Sequence, residues 1–442
     1  MIAMGGMYFA GAATFSGFAT GTILVIAVAM LGSLTVLPAV LARLGDRVEK
    51  GRVPVIGRLK RSGGDSRVWS FVIDRVMRRP LVSLLVAGGL LVALAIPAFS
   101  MHTALPGVDT LPRSIDVIQT YDRIQAAFPG NQLPAQVAVK AGDVTSAETR
   151  SAIDEMNRRA LASGDFGRPV SVEVSRDRSV AEVSLPIAGD GTNERSIAAL
   201  KTLREEIIPA TVARAGAQAS VSGMTAQTQD FNDVMKSNVF YVFAFVLGMT
   251  FLLLLVSFRS IVIPLKAIVL NLFSVGAAYG VLKLVFQDGH LSGLLGVEST
   301  GAVTSWLPLF LFVVLFGLSM DYHVFILTRI REAVDRGWRT EDAVAYAIKS
   351  TAGVITSAAV VMVAVFSIFG TLSMLEFKQM GVGLAFAVLL DATVVRGVLL
   401  PASMTLLGER NWWLPRQLQW LPRISREEKF PQAEPKVEPV HA

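Results

Sequence analysis

Nothing in the chain is charged before Arg43. An apolar run of that length has no stable place in water, and it exceeds the roughly 20 residues that one helix needs to cross a bilayer. Gly11, Thr14, Ser16 and Gly17 mark a break within it. The reading is a shortened first span over 1–14 and a complete second over 18–42. Six further apolar spans follow at about 80–101, 238–258, 261–286, 306–328, 352–374 and 379–407. Composition agrees: 52% of residues are hydrophobic and 17% charged, against about 25% charged in ordinary soluble domains. The expected fold class is a mainly α polytopic membrane protein with about 7–8 transmembrane helices, the first incomplete.

Residues 102–236 break the pattern, with 14 Lys/Arg and 17 Asp/Glu. Alternating apolar and polar positions predict strands near 133–140, 169–175, 179–187 and 217–222; helical spacing predicts helices near 145–163 and 192–213. The order β-α-β-β-α-β is the split βαβ, or ferredoxin-like, arrangement. Helices near 114–127 and 224–236 are expected to join this α+β domain to the membrane.

Lys/Arg in short loops sets orientation. Residues 43–79 carry 11 Lys/Arg against 4 Asp/Glu, 329–350 carry 5 Lys/Arg, and 287–305 carry none. Counting alternations puts every basic segment on one side, the cytoplasm, with 102–236 outside. The expected division is therefore the end of an earlier bundle (1–43), a basic cytoplasmic loop (44–79), a transmembrane helix (80–101), an extracytoplasmic ferredoxin-like domain (102–236), a five-helix bundle (237–407) and a cytoplasmic tail (408–442). Trp412, Trp413 and Trp420 suit a headgroup-level anchor, and 431–442 reads as disordered. On this reading the net charge of +6 is positive-inside charge, and nucleic acid is not a partner. With no Cys and four scattered His there is neither a disulfide nor a metal site to assign. No GxSxG elbow or phosphate-binding Gly-rich loop occurs, which argues against hydrolytic or ATP-driven chemistry.

Leu37–Arg47 aligns with Leu400–Arg410 at an offset of 363 residues, six of eleven positions being identical. Both copies end an apolar span and meet a basic segment. An internal parallel repeat of this kind is a transporter architecture. It predicts that 1–47 closes an earlier copy that begins upstream of Met1.

Asp321 is the one acid in span 306–328, eight residues before Arg329, about 12 Å along a helix. An acid at that depth costs about 2.5–3.5 kcal/mol to insert, so it is expected to face the bundle interior and serve a function such as proton loading. The competing reading is an acid held protonated or paired as helix glue. Ser319 and Tyr322 offer hydroxyls beside it, and Thr351, Thr356 and Ser357 on the next span could extend a relay. Asp391 and Arg396 lie five apart, a poor same-face spacing on an α-helix, so each is expected to find its partner on another helix. His323 reads as a loop-proximal polar residue, Lys266 and Lys283 as snorkelling span-end cations, and Asn271 as helix–helix glue.

Gly317–Tyr322 with Phe325 and Arg329–Glu332, together with Asp109–Pro112, Val354–Ala359, Leu390–Arg396 and Asn411–Pro415, resembles the MMPL group of RND (resistance–nodulation–division) transporters over nearly the whole chain. The resemblance implies a cell-membrane exporter of lipids or other hydrophobic compounds, driven by the proton motive force with no bound cofactor. It also implies twelve spans, two ferredoxin-like external domains and two Asp-Tyr pairs. Asp321-Tyr322 matches one pair; the twin would lie upstream of Met1. The leading expectation is the C-terminal portion of such an exporter, with Asp321, Tyr322, Ser319, Thr356, Ser357, Asp391 and Arg396 moving protons. Its partners would be a lipid-like substrate, membrane lipids, and an N-terminal half or a second copy. The alternatives are a half-length scaffold or partner that transports only beside a separate N-terminal half, and a sensor of sterol-like lipids.

Overall fold

Hydrocarbon supplies no hydrogen-bond partner for a peptide group, so an apolar chain crosses it as helix. The computed structural model describes residues 1–45, 67–105, 111, 115–127, 134–189, 191, 193–290, 293, 296 and 299–422. Most of the basic loop (46–66) and the tail beyond 422 lie outside the described residues. Among the described residues, seven helical segments are long and apolar enough to cross a membrane: Ala13–Leu44, Pro80–Ser100, Met224–Phe258, Val262–Gln287, Leu307–Asp335, Thr340–Phe369 and Leu375–Trp412. The chain is thus a multi-pass helical membrane protein with a small sheet.

The first segment is α1 (Ala13–Leu34) and α2 (Val36–Leu44), separated at Thr35, whose hydroxyl bonds back to the Leu31 carbonyl. Residues ahead of it form only short turns, Ile2–Gly5 and Gly6–Ala10, packed on a later helix through Met7 and Ala10. This piece is too short to cross. An amphipathic helix α3 (Arg67–Arg78) precedes α4 (Pro80–Ala95), whose proline sits at the first turn where its missing N–H costs nothing. The two halves of the internal repeat end alike: Gly45 (φ +47°, ψ −134°) closes α2, and Gly408 (φ +51°, ψ −130°) closes the corresponding helix near the C-terminus. That backbone region excludes residues with a Cβ, so the shared glycine is a shared geometry.

After α5 (Asp116–Ala127) comes a four-stranded antiparallel sheet of β2 (Pro134–Lys140), β3 (Ser171–Val174), β4 (Val180–Pro186) and β5 (Gln218–Ser222), in the order β3-β4-β2-β5. Each strand falls inside its expected window. Helices α6 (Ala147–Ala162) and α7 (Glu194–Thr202) link β2 to β3 and β4 to β5. Val137 and Val139 alternate with exposed Ala138 and Lys140 and meet Ile153, Met156 and Leu200 in the core. The expected helix over 192–213 is interrupted: Leu203–Ile207 is π-helical, and Ile208–Ala210 is a last turn carrying Pro209. A short parallel pair, β1 (Thr103–Ala104) with β6 (Val303–Thr304), ties the end of α4 to the start of a later span.

The remaining helices are α8 (Met224–Phe258), α9 (Val262–Leu282), α10 (Leu307–Asp335), α11 (Thr340–Phe369), α12 (Leu375–Leu390), a π-helical stretch Asp391–Leu399, and α13 (Leu400–Leu407). With 35 residues, α8 is about 52 Å long, well beyond the roughly 30 Å hydrocarbon thickness. Its first turn packs in the core of the sheet through Ala226, and its later residues pack in the helical bundle. The sequence divides this element into a connector and a span; the structure makes it one rod. Of the three tail tryptophans, Trp413 and Trp420 are exposed, but Trp412 is turned inward. Its indole donates to Thr340 Oγ1 at 3.1 Å and Arg331 lies over its ring.

Helix α9 approaches α4 so closely that a Cβ on Gly280 would overlap the Leu94 carbonyl oxygen. Gly280→Val should therefore destabilise the purified protein by about 1–3 kcal/mol, the cost of overpacking, while Gly89→Ala, where a Cβ meets nothing within 4 Å, should leave its thermal midpoint unchanged. Equal midpoints for the two variants would contradict this packing. In the β3–β4 turn, Asp177 accepts from Ser175 Oγ (2.6 Å), Ser179 N (3.1 Å) and Ser179 Oγ (2.8 Å). These bonds hold its carboxyl down at about 2, below the ordinary value of about 3.9. A depressed folded-state value means the turn is stabilised above pH ~4 and loses that contribution as pH falls toward ~2. Hydrogen-exchange protection in β3 and β4, relative to the intrinsic rate at each pH, should fall across that window, and Asp177→Asn should remove the contribution of Asp177 to that fall.

Candidate functional site: a buried ion pair in a π-helical turn

Helix α10 turns one face into the bundle through Phe316, Ser319, His323, Ile326 and Ile330, spaced by three or four residues. Asp321 lies two residues from both Ser319 and His323, about 200° around the helix. It is exposed, one turn after Gly317, where the N-terminal Ile2–Gly5 turn packs through Ala3. The expectation that it faces the interior is corrected here: helical periodicity gives the inward direction to Ser319 and His323. His323 is fully buried rather than loop-proximal, and neither ring nitrogen has a partner among the described residues.

Ser319 Oγ donates to Asn271 Oδ1 at 2.5 Å, joining α10 to α9 as expected of a glue residue. The Ser319 carbonyl accepts from Arg396 at 3.2 Å. Arg396 also pairs with Asp391, and its guanidinium carbon sits 4.4 Å from the centre of the Tyr322 ring, a cation–π distance. Both charged residues are buried.

The expectation that Asp391 and Arg396 find partners on other helices holds for Arg396, which reaches Ser319 and Tyr322 on α10, but the two residues also pair with each other. The reason is the backbone: residues 391–399 are π-helical, and a turn closed by i→i+5 bonds brings side chains five apart onto one face. Spacing rules for the α-helix do not hold in that stretch. Tyr322 is half-buried, with its hydroxyl 3.8 Å from Met362 Sδ on α11. A cavity of about 20 Å³ borders Asn271, Ser319, Tyr322, Asp391 and Arg396, enough room for one water. Asn271 Nδ2, Asp391 Oδ1 and Arg396 Nε are buried without a partner among the described residues.

Other expected relay residues lie elsewhere. Thr356 and Ser357 are on the exposed side of α11. The Thr356 hydroxyl accepts from the Trp69 indole at 3.0 Å, and the Ser357 hydroxyl bonds back to the Gly353 carbonyl at 2.6 Å. Thr351 is buried, but its hydroxyl is spent on the Ala347 carbonyl. Lys283 pairs with Asp288 at 2.6 Å. Sequence reasoning missed Trp69, whose ring lies against Gly397, immediately after Arg396. The available signal was a Trp within a basic amphipathic segment, with a glycine on the facing helix.

The MMPL family model matches residues 1–83 and 109–433. The chain is 37% identical over 441 residues to the mycolic acid-containing lipids exporter MmpL11 of Mycolicibacterium smegmatis, covering 98% of this chain and 45% of that protein. It is 36% identical over 440 residues to the heme uptake protein MmpL11 of Mycobacterium tuberculosis, covering 98% and 44%. With the trehalose monomycolate exporter MmpL3 of Mycobacterium tuberculosis it shares 27% over 428 residues, covering 89% and 44%. The chain thus spans under half the length of each of these relatives. Since the family model takes in both the bundle and the site just described, the chain belongs to the MMPL family.

Proposed function

We propose that the chain takes part in proton-driven export of lipids or other hydrophobic compounds, with Asp321 and Tyr322 as the proton-carrying pair and the proton motive force in place of a cofactor. The observation that carries this reading is the Arg396 guanidinium held between Asp391 and the face of Tyr322, beside a water-sized cavity. A buried ion pair is costly unless its geometry is good, and packed apolar residues often stabilise a fold equally well. Its presence inside a membrane span points to a role in moving charge. Proton arrival at Asp321 removes a negative charge from the residue adjoining Tyr322 and so changes the field acting on Arg396. One proton crossing 100 mV releases about 2.3 kcal/mol, available for shifting helices against an apolar cargo. Two of the relatives are named as lipid exporters, which favours lipid over other cargo.

In the same reading, residues 102–236 form an extracytoplasmic ferredoxin-like domain, supported by the split strand order and by the absence of Lys/Arg from 287–305. Segments 1–43 and 80–101 join the five-helix bundle of 237–407 in the membrane, and the basic 44–79 and 408–442 stretches lie in the cytoplasm. Helix α8 connects the bundle to the external sheet.

Asp321→Asn should reduce lipid export to background while the protein still accumulates in the membrane; Thr356→Ala and Ser357→Ala should leave export intact. Persistent export by the asparagine variant would remove Asp321 from the relay. Arg396→Met alone strands Asp391 and should cost about 3–5 kcal/mol of stability. Asp391→Leu combined with Arg396→Met should recover the stability but not the export, separating folding from transport.

The open position of Asp321 favours a second component of this reading. A carboxylate facing lipid at that depth costs about 2.5–3.5 kcal/mol, so further helices are expected against that face, from an N-terminal half or a second copy. Because the chain lacks cysteine, Phe325→Cys, exposed and one turn after Asp321 on the same face of α10, supplies a unique handle. Crosslinking in native membranes should join it to another helical segment; a product confined to lipid adducts would refute the covered face.

A further inference from the structure

The amphipathic helix α3 (Arg67–Arg78) is tied to α11 at two points. The Trp69 indole donates to Thr356 Oγ1 at 3.0 Å, and Asp74 pairs with Lys349 at 3.1 Å. The partner numbers fall as those of α3 rise, so the two helices run antiparallel. Between these points Ile73 is fully buried, in the same apolar cluster as Ile355, Leu399 and Leu400. A tryptophan in such a segment is ordinarily a headgroup-level anchor. Here that part falls to Phe71, which is 74% exposed; Trp69 is half-buried, with its ring against the π-helical stretch.

The benzene edge of that ring lies so close to Gly397 that a Cβ there would sit 2.6 Å from Cζ3 and 3.0 Å from Cη2. Gly397 directly follows Arg396 within Asp391–Leu399. A run of i→i+5 bonds is rare and persists where something holds it. The Asp391–Arg396 pair holds this one from within the bundle, and the Trp69 ring from the α3 side. We infer that Trp69 is a positioning residue: its ring edge, pressed on Gly397, sets the π turn that keeps Arg396 between Asp391 and the Tyr322 ring. The ring carries this role and not the indole N–H, because one neutral hydrogen bond at an exposed position adds little. Arg396 interacts with Asp391 beside it and with Asp321 and Tyr322 on α10. His323 on α10 lies in the field of both Arg396 and Lys266, whose ammonium donates to Asn411 Oδ1 at 3.0 Å. A displaced arginine therefore alters the field on the proposed proton-carrying pair. The effect on export rests on the proton-relay reading above; the contact does not.

Two measurements on the 442-residue chain test this. In hydrogen exchange on the purified protein, Trp69→Leu should lose protection over 391–399 while 375–390 stays protected. Equal exchange in wild type and variant would overturn the inference, whatever the fate of Asp321→Asn. In cells, export of lipids labelled from radioactive acetate should fall about ten-fold in Trp69→Leu, equivalent to about 1.4 kcal/mol. Its pH profile should also shift, at unchanged abundance in the membrane. Gly397→Ala alone, pressed against the full indole, should fail in the same way. Combined with Trp69→Leu it refills the gap that leucine leaves, and both rate and profile should recover. Phe71→Ala should change neither. If Trp69→Leu does not accumulate, Gly397→Ala is read in its place by the same criteria. A lowered rate with the wild-type pH profile would make Trp69 a packing residue only, and a double variant that does not recover would place the effect elsewhere. Either result overturns the assignment.

Discussion

A bilayer interior offers no hydrogen bonds, and every feature of the bundle answers to that constraint. It makes the spans helical, leaving a polar side chain three choices: pair within its own helix, pair across helices, or sit where water reaches. Thr351 and Ser357 take the first, bonding back to carbonyls one turn earlier. Ser319 and Asn271 take the second. Asp391 and Arg396 also pair within one chain segment, but only because the helix widens to π geometry where they occur. The widened turn and the ion pair depend on each other: without the wider turn the charges diverge, and without the charges a run of poorer backbone geometry has nothing to hold it. π-helical stretches are found often at functional sites, and here the stretch adjoins the tyrosine of the proposed relay.

Much of the architecture was legible beforehand. Apolar run length located the spans, and two-residue periodicity located all four strands of the main sheet within their windows. These signals are strong because each repeats over many residues. The site was less legible because its geometry turns on single angular steps. Asp321 drew attention as a lone acid in a span, yet the inward positions belong to Ser319 and His323, two residues to either side. The α-helical spacing rule separated Asp391 from Arg396, and no composition signal announces a π turn. Trp69 and Asn411 act across 287 and 145 residues of sequence, on Thr356 and Lys266 respectively. Contacts of that range leave no local pattern to read.

The paired glycines show how a weak sequence signal gains weight from structure. Six identities in eleven positions can arise by chance. Near-identical dihedral angles at Gly45 and Gly408 mean that the two segments also leave their helices in the same direction. The repeat is thus a repeat of backbone shape at the helix end.

Helix α8 carries one more consequence. Because it runs unbroken from the sheet into the bundle, it behaves as a lever whose fulcrum lies at its Phe258 end. Over a rod about 52 Å long, a tilt of about 0.1 radian moves the far end by about 5 Å. That is close to the spacing between neighbouring strands of about 4.8 Å. A rearrangement too small to break packing among the membrane helices would therefore reach the sheet as a displacement of a whole strand width.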